Sequence, residues 1–81
     1  MEREDLYKKL NEIFAEVLRL DSVNLSDETI ADDVEGWDSL SHIILLSTIE
    51  KKFHIKFNMK EIVSLHNVGE LVDLILEKTN L

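Results

Sequence analysis

The chain of 81 residues carries 17 acidic and 9 basic side chains, a net charge of −8, and no cysteine. The lack of cysteine excludes a disulfide framework, a thiolate metal site and a cysteine nucleophile, and so short a chain has too thin a core for a deep, enclosed active site. The charge disfavours nucleic acid and anionic lipid as partners and favours basic protein surfaces, although its commoner role is to keep a protein soluble.

The first predicted element is an amphipathic helix over residues 3–19. Its apolar residues recur at steps of three and four and so share one face, namely Leu6, Leu10, Ile13, Phe14 and Val17. A connection over about residues 20–38 follows, and it is longer than an ordinary loop. Four apolar residues are expected to hold this loop on the core: Val23, Leu25, Ile30 and Val34.

The second predicted helix extends from about Ser39 to Phe53. At 100° per residue, one side of this helix carries Ile43, Leu46, Ile49, Glu50 and Phe53, with Glu50 at the edge of the stripe. The following segment "FHIKF" alternates apolar and polar residues like a short strand. Because no second strand is available to pair with it, we predict an extended connector that plugs the core.

Two capping boxes predict the start of a third and a fourth helix: Asn58 with Glu61, and Asn67 with Glu70. The third helix is short, with Met59, Ile62 and Val63 facing inward. The fourth covers about residues 68–79 and buries Val68, Leu71, Val72 and Ile75. The predicted fold is all-α, a small four-helix bundle with a long loop between helices one and two, in a single domain over residues 1–81.

Neither a membrane span nor a targeting segment is expected. The longest apolar runs, such as residues 43–46, are far shorter than the roughly 20 residues that cross a bilayer. The polar start "MEREDLYKK" lacks the apolar centre of a signal peptide. We therefore predict a cytoplasmic protein without membrane insertion.

A serine hydrolase site at Ser39 is one possible interpretation, because Asp38 is adjacent and His42 lies three residues on. The pattern is weak, since the nucleophile elbow G-x-S-x-G is absent and Leu40 and Ser41 follow the serine. We expect His42 to be an ordinary histidine of the helix surface.

No metal site is predicted. His42, His54 and His66 are twelve residues apart, without the close spacing of a zinc-binding helix. The acidic loop "DSVNLSDETIAD" fails as a calcium loop, because Val23 and Leu25 occupy ligand positions and Ser26 stands where glycine is required.

Ser39 has two interpretations that the residues alone leave open. A serine in the first helical turn presents its hydroxyl outward, and a phosphate attached to it would meet free N–H groups and the helix dipole, worth roughly 0.3 to 1 kcal/mol. Gly36 would then allow a tight turn beside the serine. Alternatively Asp38 or Ser39 is a plain N-cap and Trp37 a hydrophobic plug, which physical argument alone favours.

The sequence resembles the acyl carrier protein family and its peptidyl carrier relatives over nearly its whole length. The resemblance rests on the first amphipathic helix, the long loop, "GWDSL" at the start of helix two, "IEKKFHIKF" at its end, and "NVGELVDLI" leading into helix four. The D-S-L core alone is short, but in this position between these helices it is specific.

The resemblance implies that Ser39 carries 4'-phosphopantetheine, transferred from coenzyme A by a separate magnesium-dependent phosphopantetheinyl transferase. Gly36, Asp38 and Leu40 would flank the attachment point as motif residues, with Leu40 contacted by partners. The chain would be a monomeric carrier without catalytic activity. It would present acyl or aminoacyl thioesters to acyl-loading and acyl-transferring enzymes.

Helix two departs from the pattern of fatty-acid carriers. Ser41 and Ile44 stand where those carriers place acids, and Lys51 and Lys52 follow Glu50 where they have an acidic run. The face opposite the predicted core stripe carries Leu40, Ser41, Ile44, Ser47, Thr48 and Lys51.

From this departure we hypothesise a carrier of a specialised pathway, docked by partners at Leu40, Ser41, Ile44, Ser47 and Lys51. Trp37 in the motif is likewise untypical of fatty-acid carriers. Two alternatives stay open: Ile44 lines the core or an acyl cavity, or the domain is a non-carrying adaptor that binds proteins through its acidic surface.

Overall fold

The structure, a computed structural model, describes residues 1–80 and contains four α-helices. Helix α1 comprises Arg3–Leu18, α2 Ser39–Phe53, α3 Met59–Ser64 and α4 Val68–Thr79, and a 3₁₀ turn at Ala31–Asp33 interrupts the long loop. Residues 1–80 contain no strand, and the segment "FHIKF" forms the predicted connector at the end of α2. The predicted bundle is confirmed.

The core is a single cluster to which α1, α2, α4 and the loops contribute. Its fully buried side chains are Phe14, Leu6, Leu10, Leu45, Leu46, Ile49, Leu71, Ile75, Val68 and Val72. All predicted core residues of α4 are buried, and four of the five in α1 are, with Val17 half-buried. No helix within residues 1–80 combines the length and apolar character needed to cross a membrane.

The core side of α2 differs from the predicted one. Leu45, Leu46 and Ile49 are buried, whereas Ile43 is 45% exposed. The inward direction is therefore rotated by roughly 60° about the helix axis from the predicted stripe. Apolar residues surround the first two turns of α2, so their periodicity does not select one side.

Three further predicted core residues lie on the surface. Ile30 in the loop is 41% exposed, and Met59 and Val63 of α3 are 67% and 72% exposed. In the loop Thr29 is buried instead of Ile30, and in α3 only Ile62 packs against the core. Helix α3 has only six residues, fewer than two turns, and it packs against the core with one side only.

The capping boxes are confirmed for α3 and in part for α4. Asn58 Oδ1 accepts the N–H of Glu61 at 2.8 Å, and Glu61 Oε1 accepts that of Asn58 at 2.9 Å. Asn67 caps α4 in the same way through the N–H of Glu70 at 2.9 Å. Glu70, however, accepts the N–H of His66 at 2.9 Å, one residue before the predicted partner.

The long loop is anchored to the start of α4. The N–H groups of Val68 and Gly69 donate to the carbonyl oxygens of Thr29 and Asp27 at 2.9 and 3.0 Å. These are N–H groups that a helix cannot satisfy internally. The loop therefore serves as the backbone cap of α4 and is anchored at Asp27 and Thr29.

Candidate functional site

The start of α2 is capped by Asp38 and Ser41, and Ser39 takes no part in this capping. Asp38 Oδ1 accepts the N–H of Ser41 at 2.9 Å, and Ser41 Oγ accepts the N–H of Asp38 at 2.8 Å. The Ser41 hydroxyl donates to the carbonyl oxygen of Gly36 at 2.8 Å. Ser39 is the first residue of the helix and is exposed. Of the two proposed caps, Asp38 is therefore the correct one.

The carboxylate of Asp38 already occupies the positive end of α2. Its pKa lies below the usual range, chiefly because the backbone N–H of Ser41 donates to it, with a smaller contribution from the backbone of Leu40. A phosphate on Ser39 would thus not find these N–H groups free. The site presents an exposed serine beside a fixed negative charge.

Gly36 forms the turn that precedes the cap, as expected. Its φ of 84° lies in the left-handed region, where residues with a side chain are strained. The N–H of Trp37 closes the turn on the carbonyl oxygen of Val34 at 3.2 Å. The chain can therefore reverse direction just before Ser39.

Trp37 is the expected hydrophobic plug, and His42 is more deeply placed than predicted. The indole packs edge-on against Phe14 of α1, with ring centroids 4.9 Å apart. Its Nε1–H donates to Nδ1 of His42 at 3.1 Å, and Nε2 of His42 lies 3.0 Å from the carbonyl oxygen of Ile62. His42 is half-buried and joins α2 to α3, so its prediction as a surface histidine is wrong.

These contacts exclude the hydrolase arrangement. A neutral imidazole that accepts through Nδ1 must carry its proton on Nε2, where it donates to Ile62. Neither nitrogen of His42 is free to take a proton from Ser39. Within the described residues, no group of three potential ligands is placed to hold a metal ion either.

An open cavity of about 460 Å³ lies directly beside Ser39. The α2 side contributes Trp37, Asp38 and His42, and α3 contributes Ile62 and Val63. A group attached to Ser39 therefore has a partly apolar surface within reach.

The predicted docking face is largely exposed. Leu40 and Ile44 are 72% and 48% exposed, and Ser47 and Lys51 are also exposed. Ile44 therefore does not line the core, and the exposed Ile43 beside it extends the apolar surface. Ser41 is half-buried, with its hydroxyl engaged in the cap of α2.

Comparison with known proteins identifies the family. The model of the phosphopantetheine attachment site family matches residues 8–75. An acyl carrier protein of Cyanidium caldarium is 32% identical over 79 residues, which are 96% of this chain and 91% of the relative.

Two solved structures agree in both fold and sequence. A solution structure of the holo acyl carrier protein of Geobacter metallireducens is 42% identical, with a TM-score of 0.84 over 91% of this chain and 85% of that chain. The crystal structure of the acyl carrier protein of Thermotoga maritima is 29% identical, with a TM-score of 0.87 over 99% of this chain and 93% of that chain. The chain belongs to the acyl carrier protein family, whose members carry groups on phosphopantetheine for biosynthetic enzymes and are not themselves catalysts.

Proposed function

We propose that Ser39 is the residue to which 4'-phosphopantetheine is attached. The observation that supports this assignment is the division of roles at the start of α2: Asp38 and Ser41 cap the helix, and the Ser39 hydroxyl is exposed beside them. A serine that only capped the helix would have its oxygen on an N–H of the first turn.

In the attachment reaction, Ser39 Oγ attacks the phosphorus of coenzyme A that bears the pantetheine. The new P–O bond forms as the bond to the second phosphate breaks, and adenosine 3',5'-bisphosphate leaves. The hydroxyl proton passes to a base of the transferase, because both ring nitrogens of His42 are already engaged. Asp38 and Gly36 hold the helix start in shape, and the bound arm supplies the thiol that this cysteine-free chain lacks.

The domain organisation, location and partners of the chain are part of the same proposal. The 81 residues act as one carrier domain, a monomer of the cytoplasm. Its partners are a phosphopantetheinyl transferase and enzymes that load and transfer acyl groups. They dock on an apolar strip formed by the exposed side chains of Leu40, Ile43 and Ile44, which extends toward Ser47 and Lys51 and borders the capping residue Ser41. A docking surface without carboxylates points to a specialised pathway.

The test is the intact mass of the protein after incubation with coenzyme A, Mg²⁺ and a broad-specificity phosphopantetheinyl transferase. We expect a gain of one phosphopantetheine in the parent chain and none in Ser39→Ala. Ser22→Ala is the matched control, because it removes an exposed serine hydroxyl in the long loop, outside the docking surface, and should leave the gain intact.

Two results would contradict the assignment. A gain that persists in a folded Ser39→Ala variant would move the attachment to another residue. No gain in the parent chain, with a transferase that modifies a known carrier in parallel, would favour the non-carrying adaptor.

A further inference from the structure

The charge of this protein is unevenly distributed along the chain, and the region that contains the apolar strip is basic. Residues 39–60 include one carboxylate, Glu50, and four lysines, a net charge of 4 − 1 = +3 in a chain whose total is −8. Residues 1–38, in contrast, hold 12 acidic and 4 basic side chains. The overall charge favours basic partner surfaces, but the charge on this region has the opposite sign.

Part of this positive charge surrounds a shallow depression of about 520 Å³ at the end of α2, here called the Lys51 recess. It is lined by Ser47, Glu50, Lys51, His54, Ile55 and Lys56. Four ion pairs occur among residues 1–80, and neither Lys51 nor Lys56 takes part in any of them. The one carboxylate, on Glu50, accepts the backbone N–H of Phe57 at 2.8 Å. Within residues 1–80, two exposed ammonium groups are thus left without a carboxylate partner.

The Lys51 recess continues the apolar strip along one side of α2. Steps of four, three and four residues lead from Leu40 through Ile44 and Ser47 to Lys51, so these side chains share a helix face. At 1.5 Å per residue, the eleven steps along the helix from Leu40 to Lys51 span roughly 16 Å. A protein that contacts the apolar strip next to Ser39 would also cover the recess.

We propose that the Lys51 recess receives carboxylates from the surface of a partner protein docked on the apolar strip. This inference rests on the proposed carrier function and specifies the partner: an apolar contact for Leu40 and Ile44, and an acidic cluster about 16 Å from the part that meets Leu40. A nucleic acid does not fit, because an extended polyanion would also meet the acidic surface of residues 1–38. Charge pairs at the edge of a contact mainly fix its orientation, so the recess would align the partner's active site with Ser39.

The test uses a pentaglutamate peptide as the probe and the ¹⁵N-labelled protein at low ionic strength. Amide shifts should change at Lys51, His54 and Lys56 and weaken with added salt. The double variant Lys51→Gln with Lys56→Gln should bind the peptide at least about tenfold more weakly. The matched control, Lys52→Gln with Lys60→Gln, removes the same total charge outside the recess, since Lys52 lies beside Glu12 and Glu16 of α1. It should stay within about twofold of the parent chain.

Equal weakening in both double variants, or shift changes spread evenly over all lysines, would overturn the inference, because binding would then follow total charge alone. The absence of peptide binding by the parent chain would overturn it as well. The phosphopantetheine mass gain is measured on the same samples. A gain that depends on Ser39 without peptide binding at the recess would refute this inference and leave the proposed function intact, whereas no gain in the parent chain would refute the proposed function itself.

Discussion

Trp37 and His42 are joined by a hydrogen bond from the indole Nε1–H to the imidazole Nδ1, 3.1 Å long, with the ring centroids 5.9 Å apart. The other imidazole nitrogen lies 3.0 Å from the carbonyl oxygen of Ile62. One side chain of α2 thus links the turn before Ser39 to the short helix α3. This link ties α3 to α2, in addition to the packing of Ile62 on the core and the ion pair of Glu61 with Lys78 of α4.

His42→Ala should destabilise the protein and loosen α3. The substitution leaves the Trp37 N–H and the Ile62 carbonyl without partners in a half-buried place, at a cost of about 1–3 kcal/mol. Urea unfolding followed by circular dichroism would measure the change. His66→Gln is the control, because this histidine is 81% exposed and its loss should cost about 0.5 kcal/mol or less. Equal effects of both changes would refute the role of His42.

Gly69→Ala should destabilise the chain, although alanine is the better helix former by up to about 1 kcal/mol. A Cβ at Gly69 would lie 3.0 Å from both the Cβ and the carbonyl oxygen of Asp27, where the loop caps α4. The loop would have to move away and weaken this cap, at a cost of about 1–3 kcal/mol. Thermal unfolding would measure it. A higher melting temperature in Gly69→Ala would contradict the close packing of the loop.

Helix boundaries could be predicted from the sequence because capping is local. The side chains of Asn58, Glu61 and Asn67 each accept a backbone N–H group that is three residues away. The inward side of α2 could not be predicted in the same way. Its first turns carry apolar residues on all sides, and which of them are buried depends on how α1 and α4 approach. The predicted inward side therefore differs from the observed one by roughly 60°. Ile43 was predicted to be buried and is exposed, whereas Leu45 lies outside the predicted stripe and is buried.

The resemblance in "GWDSL" is enough to single out Ser39, but the contacts of the residues around this serine could be learned only from the structure. His42 was missed because its partners are an indole five residues earlier and a carbonyl on another helix. Hydrogen bonds between distant segments leave no periodic pattern in a sequence. The position of His42 near the core side of α2 is the one signal that was available.

Tyr7 should make the folded state sensitive to alkaline pH. Partial burial and the bond to the Asp27 carboxylate raise the pKa of Tyr7 to about 12 from its ordinary value of 10.0. The resulting stability is fully present below pH 10 and is lost as the pH rises toward 12. Tyr7→Phe should therefore lose less stability over this range. Because Tyr7 is the single tyrosine, tyrosinate absorbance reports its titration directly. A midpoint near 10 would contradict the prediction.

Asp27 should contribute to the opposite limb of the stability profile. The Tyr7 hydroxyl and then the Arg3 guanidinium donate to its carboxylate and hold its pKa below the ordinary value. A depressed pKa gives stability above the unfolded-state pKa that is lost as the pH falls through the folded-state value. Asp27→Asn should flatten the acid limb in urea unfolding below pH 5, whereas Asp21→Asn, an exposed aspartate of the same loop, should not. Identical acid limbs in the parent chain and Asp27→Asn would refute this contribution.

Ile44→Glu should weaken partner docking without loss of stability. The side chain is 48% exposed, so the change should alter the free energy of unfolding by about 0.5 kcal/mol or less. It places a charge in the apolar strip, and we expect KM for phosphopantetheine transfer by a broad-specificity transferase to rise about tenfold, equivalent to about 1.4 kcal/mol, with little change in kcat.

Met59→Glu is the matched control for this change. It introduces the same side chain at a residue that is 67% exposed on α3, outside the apolar strip. An equal rise in KM for both variants would show that the transferase senses only added negative charge. Unchanged KM in Ile44→Glu would remove Ile44 from the docking surface, because a buried contact with a partner could not accept a carboxylate without cost.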